Sequence, residues 1–157
     1  MTNETIQYYT RKIADSNPTE IIVLVYEIAE NYLDDAILAA KEEDFDTFDI
    51  SIDKATKCIN DLVEALDLQY EIGYQLMSIY MFMNKELSLS KIRRDRETVA
   101  RIQAMLTKLK ESFKELAKQD TSGAAMGNAQ EVYAGLTYGR DSLNESTSID
   151  GNRGFTV

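Results

Sequence analysis

The stretch Leu76-Met77-Ser78-Ile79-Tyr80-Met81-Phe82-Met83 decides the fold, because seven of its eight residues are apolar or aromatic. As a helix, it belongs to one core-facing stripe with spacings of 3, 4, 3 and 4 residues, namely Gly73, Leu76, Tyr80, Met83 and Leu87. The apolar residues that point elsewhere are Met77, Ile79, Met81 and Phe82. A helix that is apolar on several sides must be covered, either by the rest of the chain or by a partner protein. The methionines favour a partner, because unbranched thioether side chains repack against varied surfaces.

Length and charge limit the class of protein. The 157 residues are enough for one domain with a real core. A net charge of -10 argues against nucleic-acid binding, which depends on Lys and Arg neutralising phosphates. The first residues lack the pattern of a secretory signal, and the apolar run from Ile21 to Tyr26 is far shorter than the roughly 20 residues that span a bilayer. A single cysteine, Cys58, allows no internal disulfide, so we expect a cytoplasmic protein without membrane insertion.

Apolar periodicity predicts four helices. The first begins at Pro18, is capped by Ser16 or Asn17, and extends to about Lys41. The stripes of the other three lie within residues 52–66, 73–87 and 99–116. Connections are expected at residues 42–46, 67–71 and 88–95. Short loops between helices of matched length indicate an all-α fold, an antiparallel up-down four-helix bundle.

The predicted bundle domain, residues 18–119, lies between two segments of different composition. Residues 1–17 are polar with a few apolar anchors and form an N-terminal segment. Residues 120–157 are rich in Gly, Ser, Asn and Thr, with all but one of the glycines of the chain, which indicates a flexible tail. An alternative to free disorder is a weak helical turn that docks through Val132, Tyr133 and Leu136 in the same groove that a partner would occupy.

The absence of histidine excludes the common forms of catalytic and metal chemistry. A di-iron bundle needs inward Glu-x-x-His pairs, and zinc sites and nucleophile pairs also draw on histidine. The acidic loop 44–49 lacks the Gly and Glu of a calcium loop, because Asp49 and Ala55 stand at those positions. No glycine-rich phosphate loop precedes a Lys. We therefore expect no enzymatic activity, no cofactor and no metal site.

Two local features leave alternatives open. The basic cluster is either a solvated loop paired with carboxylates or a surface that steers an acidic partner, and it contains Lys91, Arg93, Arg94, Arg96 and Arg101. Asp141-Ser142-Leu143 matches the tripeptide that carries the phosphopantetheine arm of acyl carrier proteins, although it lies in the tail. A carrier protein modified on Ser142 is therefore one alternative.

Several short motifs stand in a fixed order between residues 8 and 119. Tyr8 and Ile13 precede the proline by ten and five positions. Asn17-Pro18-Thr19-Glu20-Ile21 is similar to Ser/Thr-Pro-x-Glu-Leu, and Leu24-Val25-Tyr26 is similar to Met-Leu-Tyr. Later matches at the same spacing are Lys54, Ala55, Ile59, Leu62, Leu66, Asp67, Tyr80, Met83, Leu87 and Asp95. Together these residues resemble the flagellar secretion chaperone FliS family.

The resemblance implies a chaperone that binds the C-terminal segment of flagellin, prevents premature polymerisation and keeps flagellin competent for export. It also implies that residues 1–17 are a removable lid over the client groove and that export-gate components are further partners. The expected client-binding residues are Tyr8, Ile13, Tyr26, Met77, Ile79, Tyr80, Met83 and Leu87. The main alternative is a helical scaffold or dimerisation module without a flagellin client. The expected state is a monomer or a weak homodimer.

Overall fold

The computed structural model describes residues 1–125, which form five α-helices and no strand. The helices are α1 (Asn3–Asp15), α2 (Pro18–Lys41), α3 (Phe45–Glu64), α4 (Glu71–Arg93) and α5 (Arg96–Gln119). The all-α prediction is confirmed over this range. The predictions made for Val132, Tyr133, Leu136 and Ser142, and for most of the tail, lie outside the described residues.

Short polar side chains start α2, α3 and α5. At α2, the Asn17 side chain accepts from the Glu20 N–H at 2.8 Å, and the Glu20 carboxylate accepts from the Asn17 N–H at 2.8 Å. This capping box, with Pro18 in the first turn, satisfies N–H groups that a helix leaves unpaired at its start. Asp44 and Asp95 cap α3 and α5 by accepting from backbone N–H groups. Of the two predicted caps of α2, Asn17 is the one used.

Residues 3–15 form a helix where the sequence predicted a polar segment. Thr2 caps it, since its hydroxyl oxygen accepts from the Thr5 N–H at 3.3 Å. Tyr9 and Ile13, one turn apart, are buried where α1 packs onto α2. The predicted four-helix bundle with a lid is not confirmed, because residues 1–125 contain five helices.

Two predicted connections are shorter in the structure. α3 begins at Phe45, inside the predicted acidic connection. The predicted break over residues 88–95 is wrong, because α4 continues to Arg93. It ends where Arg94 adopts the left-handed backbone conformation, with φ of 53°. Glycine usually marks such an end, and its absence hid the boundary.

The helices pack in a definite set of pairs. α2 packs against α3 and α5, α4 packs against the same two helices, and α1 lies on α2. The connections from α2 to α5 are short, so these four helices alternate in direction. The core between them includes Tyr26, Leu33, Phe48, Ile59, Met83, Leu87, Ile102 and Leu106.

The α3–α4 connection passes close to the first turn of α4. A β-carbon added at Gly73 would lie 2.2 Å from the carbonyl oxygen of Asp67. This oxygen belongs to the backbone and cannot rotate away as a flexible side chain would. A residue without a side chain is therefore required where α4 leaves the connection.

Candidate functional site

α4 is apolar both on its buried side and on the sides turned away from the core. Tyr80, Met83 and Leu87 are at most 1% exposed. Four other apolar side chains are between 49 and 61% exposed; we call them the outer face of α4, and they are Ile72, Tyr74, Met81 and Phe82. Ile92, near the end of the helix, is exposed as well. A concentration of exposed apolar groups on one element is typical of an interaction surface.

A cleft between α4 and α5 opens beside the outer face. Its volume is about 180 Å³, and most of its walls are apolar. Its lining includes Ile72, Leu76 and Tyr80 from α4, Phe113 from α5 and Ile22 from α2. Ile72, in the first turn of α4, belongs both to the cleft and to the outer face, so the cleft opens at the N-terminal end of the outer face.

A pair of buried tyrosines lies beneath the cleft, and one of them, Tyr80, lines it. The hydroxyl groups of Tyr26 and Tyr80 are hydrogen-bonded to each other, and the ring centroids are 6.4 Å apart. The Phe113 ring lies 5.5 Å from the Tyr26 ring. Burial raises the pKa of both hydroxyls above the ordinary tyrosine value, so both stay protonated at neutral pH. Each hydroxyl satisfies the other within an apolar core.

The basic cluster between α4 and α5 is partly neutralised by α3. Lys91 pairs with Asp53 and Arg94 pairs with Asp49, each with an N···O distance of 2.6 Å. Arg94 also lies 4.8 Å from the centroid of the Phe45 ring. These contacts favour a loop tied to α3. Steering of an acidic partner by this cluster stays a prediction.

Comparison with known proteins identifies the family. A family model described as Flagellar protein FliS matches residues 1–120. The chain belongs to the FliS family. No curated protein matches it. The family indicates a flagellar chaperone, and the matched residues include all five helices.

The described part of this FliS-family chain offers little for metal or thiol chemistry. Within residues 1–125 there is no group of three or more His, Cys, Asp or Glu that could hold a metal ion. Cys58 is fully buried, and burial raises the pKa of its thiol, which keeps it unreactive. None of the five helices is long and apolar enough to cross a membrane.

Most of the client-binding residues predicted from the FliS resemblance lie at or under the outer face of α4. Met77 and Ile79 are partly buried and flank it. The residues that lie beneath it in the core are Tyr26, Tyr80, Met83 and Leu87. These four therefore back the surface and hold α4 in place. Tyr80 alone of the four also lines the cleft.

The other two predicted residues lie on α1. Ile13 is buried, whereas Tyr8 is 51% exposed, with Lys12 Nζ 5.0 Å from its ring centroid. The tyrosine that α1 buries is Tyr9, whose hydroxyl accepts from the Asn31 side chain at 2.8 Å. Because α1 packs on α2, the structure does not bring Tyr8 and Ile13 to the outer face of α4.

Sequence reasoning missed Ile72 and Tyr74. Ile72 stands seven positions before Ile79, and Tyr74 stands seven positions before Met81. Residues seven apart lie on the same side of a helix. Extending the pattern of the apolar stretch by one turn towards the N-terminus would have found both.

Proposed function

We propose that this chain is a cytoplasmic, non-enzymatic chaperone that binds the C-terminal segment of flagellin, prevents its premature polymerisation and keeps it competent for export. The observation that carries the proposal is the outer face of α4, a set of exposed apolar side chains with an apolar cleft at its N-terminal end. Membership of the FliS family supports a client from the flagellum. Binding of this kind needs no catalytic group.

The outer face suits an unstructured client that becomes helical when it binds. A client helix laid along α4 would bury its apolar side against Tyr74, Met81 and Phe82, and an adjoining part of the client would reach the cleft beside Ile72. Ordering such a segment costs about 2–5 kcal/mol of the interaction energy, which keeps the complex reversible. Reversibility is needed because the client must pass to export-gate components, the further partners that we propose.

α1 has the properties of a removable lid, the function that we propose for residues 1–17. It packs mainly on α2, through Tyr9 and Ile13. Isolated helices shorter than about 12–15 residues are marginal in water, so α1, with its 13 residues, depends on this contact. Its detachment would uncover Val23 and Leu24 of α2 and give the client a second apolar strip.

Calorimetry with a synthetic peptide of the flagellin C-terminal segment tests the proposal. We expect a 1:1 complex with a negative change in heat capacity, because binding buries apolar surface. Met81→Ser combined with Phe82→Ser should weaken binding by about tenfold or more, since both side chains lie in the proposed contact. The free energy of unfolding should change by less than about 1 kcal/mol, because both residues are exposed.

Leu38→Ser on α2 is the matched control, because Leu38 is also exposed and apolar but lies away from α4. This variant should bind the peptide like the wild type. Absence of binding at tens of micromolar peptide would contradict the proposed function. A double variant that binds as well as the wild type would contradict the placement of the client on the outer face.

The outer face also supports a second candidate, a helical scaffold or dimerisation module in which two copies cover each other. Sedimentation at dilute concentration separates the two functions. We propose a monomer or a weak homodimer that the peptide dissociates. The scaffold would be favoured by a stable dimer that the peptide does not dissociate and that Met81→Ser with Phe82→Ser does dissociate.

A further inference from the structure

The chain after α5 turns back onto the joint between α1 and α2. We call residues 120–125 the strap. The Asp120 carboxylate accepts from the Thr19 hydroxyl at 2.7 Å. The Ala125 N–H donates to the Ser16 carbonyl oxygen at 3.0 Å. The strap therefore ends next to Ser16, and the residues that follow it begin at this place on the surface.

A cavity of about 800 Å³ opens at that place. It lies between α1, the start of α2 and the end of α5, and Ser16, the partner of Ala125, is part of its lining. Most of the residues around it are polar or charged, and its apolar part is formed by Tyr8 of α1, Val23 and Leu24 of α2 and Ala117 of α5. Cavities of roughly 300–1,000 Å³ are typical of ligand sites. A cavity of this size, walled by three helices, suits a short peptide segment.

We propose that residues 132–136 of the same chain occupy this cavity. In a helical turn, Val132, Tyr133 and Leu136 would share one side, because they stand at positions i, i+1 and i+4 of the sequence. Seven residues of extended chain beyond Ala125 reach roughly 23 Å, enough to bring Val132 from the end of the strap into the cavity. The occupant is thus tethered beside its site.

A segment in this cavity would contact α1 and the body of the protein at the same time. Tyr8 and Lys12 of α1 line the cavity opposite Ala117 of α5. The docked segment would therefore stabilise the position of α1 next to α2 and α5. This consequence rests on the proposed function: where α1 is the lid, the tail holds the lid closed and the client must displace both. The docking itself depends on no client.

A spin label on Gly135→Cys in the full-length chain tests the docking. Cys58 is fully buried, so the introduced thiol is the one that reacts. We expect the label to cause loss of the amide NMR signals of Val23, Leu24 and Ala117. Chemical reduction of the label should restore all three signals.

Two controls make the result specific. Tyr133→Ser with Leu136→Ser, added to the labelled chain, should markedly weaken the signal loss, because without its apolar anchors the tethered label no longer stays inside the cavity. A label on Ser148→Cys, farther along the tail, should reduce the cavity signals less than the Gly135→Cys label does. The docking is overturned where the Gly135→Cys label has no effect on the cavity, or where it removes the signals of Met81 and Phe82 on α4 instead.

The affinity for the flagellin peptide tests separately whether the docked tail holds α1 in place. Tyr133→Ser with Leu136→Ser, without a label, should tighten binding of the flagellin peptide about threefold if roughly two-thirds of the molecules are docked. Tyr138→Ser with Leu143→Ser is the matched control in the same tail and should leave affinity unchanged. Unchanged affinity in the first variant contradicts the claim that the docked tail holds α1 in place, but it does not contradict the docking. A peptide that binds none of the proteins contradicts the proposed function, while the spin-label result still decides the docking.

Discussion

α2 and α4 are both rich in apolar residues, but the structure uses them differently. Eleven of the 24 residues of α2 are buried, against five of the 23 residues of α4. α2 has α1, α3 and α5 as neighbours, whereas α4 packs against α3 and α5. Apolar composition therefore does not distinguish a core helix from a binding helix. What distinguishes the two helices is the number of their neighbours: α4 packs against only two helices, so one of its sides is exposed.

The largest expected effect comes from the same substitution on the two sides of α4. Met83→Ala should lower the free energy of unfolding by about 2–5 kcal/mol, because Met83 is fully buried and its truncation leaves a cavity. Met81→Ala should change it by less than about 0.5 kcal/mol, because Met81 is exposed. Denaturant unfolding followed by circular dichroism measures both variants. Equal losses at the two positions would break the contrast between a core side and an open side of α4.

An intermediate effect is expected where α2 and α4 meet. Tyr26→Phe or Tyr80→Phe should each cost about 1–3 kcal/mol of stability, because the remaining buried hydroxyl loses its partner. The double variant should be more stable than the sum of the single losses predicts, since no hydroxyl is then left unsatisfied. A double-mutant cycle on the free energy of unfolding measures this coupling. Additive losses would show that the hydroxyl pair does not link the two helices.

The smallest effect concerns the strap that holds the start of α2. Hydrogen bonds from Ser122 and Thr19 lower the pKa of Asp120 from its ordinary 3.8 to about 2. A carboxyl group whose pKa is lowered by folding stabilises the folded state above its unfolded pKa, and this contribution is lost as the pH falls from 3.8 towards about 2. We expect the protection of the Ala125 amide, its exchange rate compared with the intrinsic rate at the same pH, to decrease over this range.

Hydrogen exchange measured by NMR in acid reports when the strap loses the stabilisation that Asp120 provides. Asp120→Asn should show weaker protection of the Ala125 amide than the wild type above pH 3.8 and no step between pH 3.8 and about 2, because it has no carboxyl group to titrate. A variant that keeps the wild-type step would mean that another acidic group controls the strap.

The two ends of α2 and the core stripe of α5 were predictable, because their signals are local. Asn17, Pro18 and Glu20 form a helix start from residues within one turn of each other. Val99 and Ile102 repeat at helical spacing on a polar background, and both are buried. Such signals do not depend on what packs against the helix.

α1 and the end of α4 were not predictable from local signals, because contacts between helices decide them. α1 is mostly polar, and it is held by two buried residues, Tyr9 and Ile13, that do not stand out in its sequence. α4 continues past Leu87 because Ser90 fits into the core with its hydroxyl donating to the Leu87 carbonyl at 2.6 Å. Neither feature follows from composition.

For the candidate site, sequence reasoning identified the helix but not which of its exposed sides forms the outer face. The spacing of Tyr80, Met83 and Leu87 predicted a core stripe, and the structure buries all three. The outer face could not be assigned without knowing that α4 packs against two helices and not three. Which residues contact a client stays a prediction.

The absence of a side chain at Gly73 has a consequence for the shape of the recognition surface. Ile72 and Tyr74, two of the four residues of the outer face, stand on either side of this glycine. A single methyl group there would collide with the Asp67 carbonyl oxygen, and the backbone of the first turn or of the connection would have to shift. The edge that a client meets is therefore set from inside the protein, by a contact between two stretches of backbone.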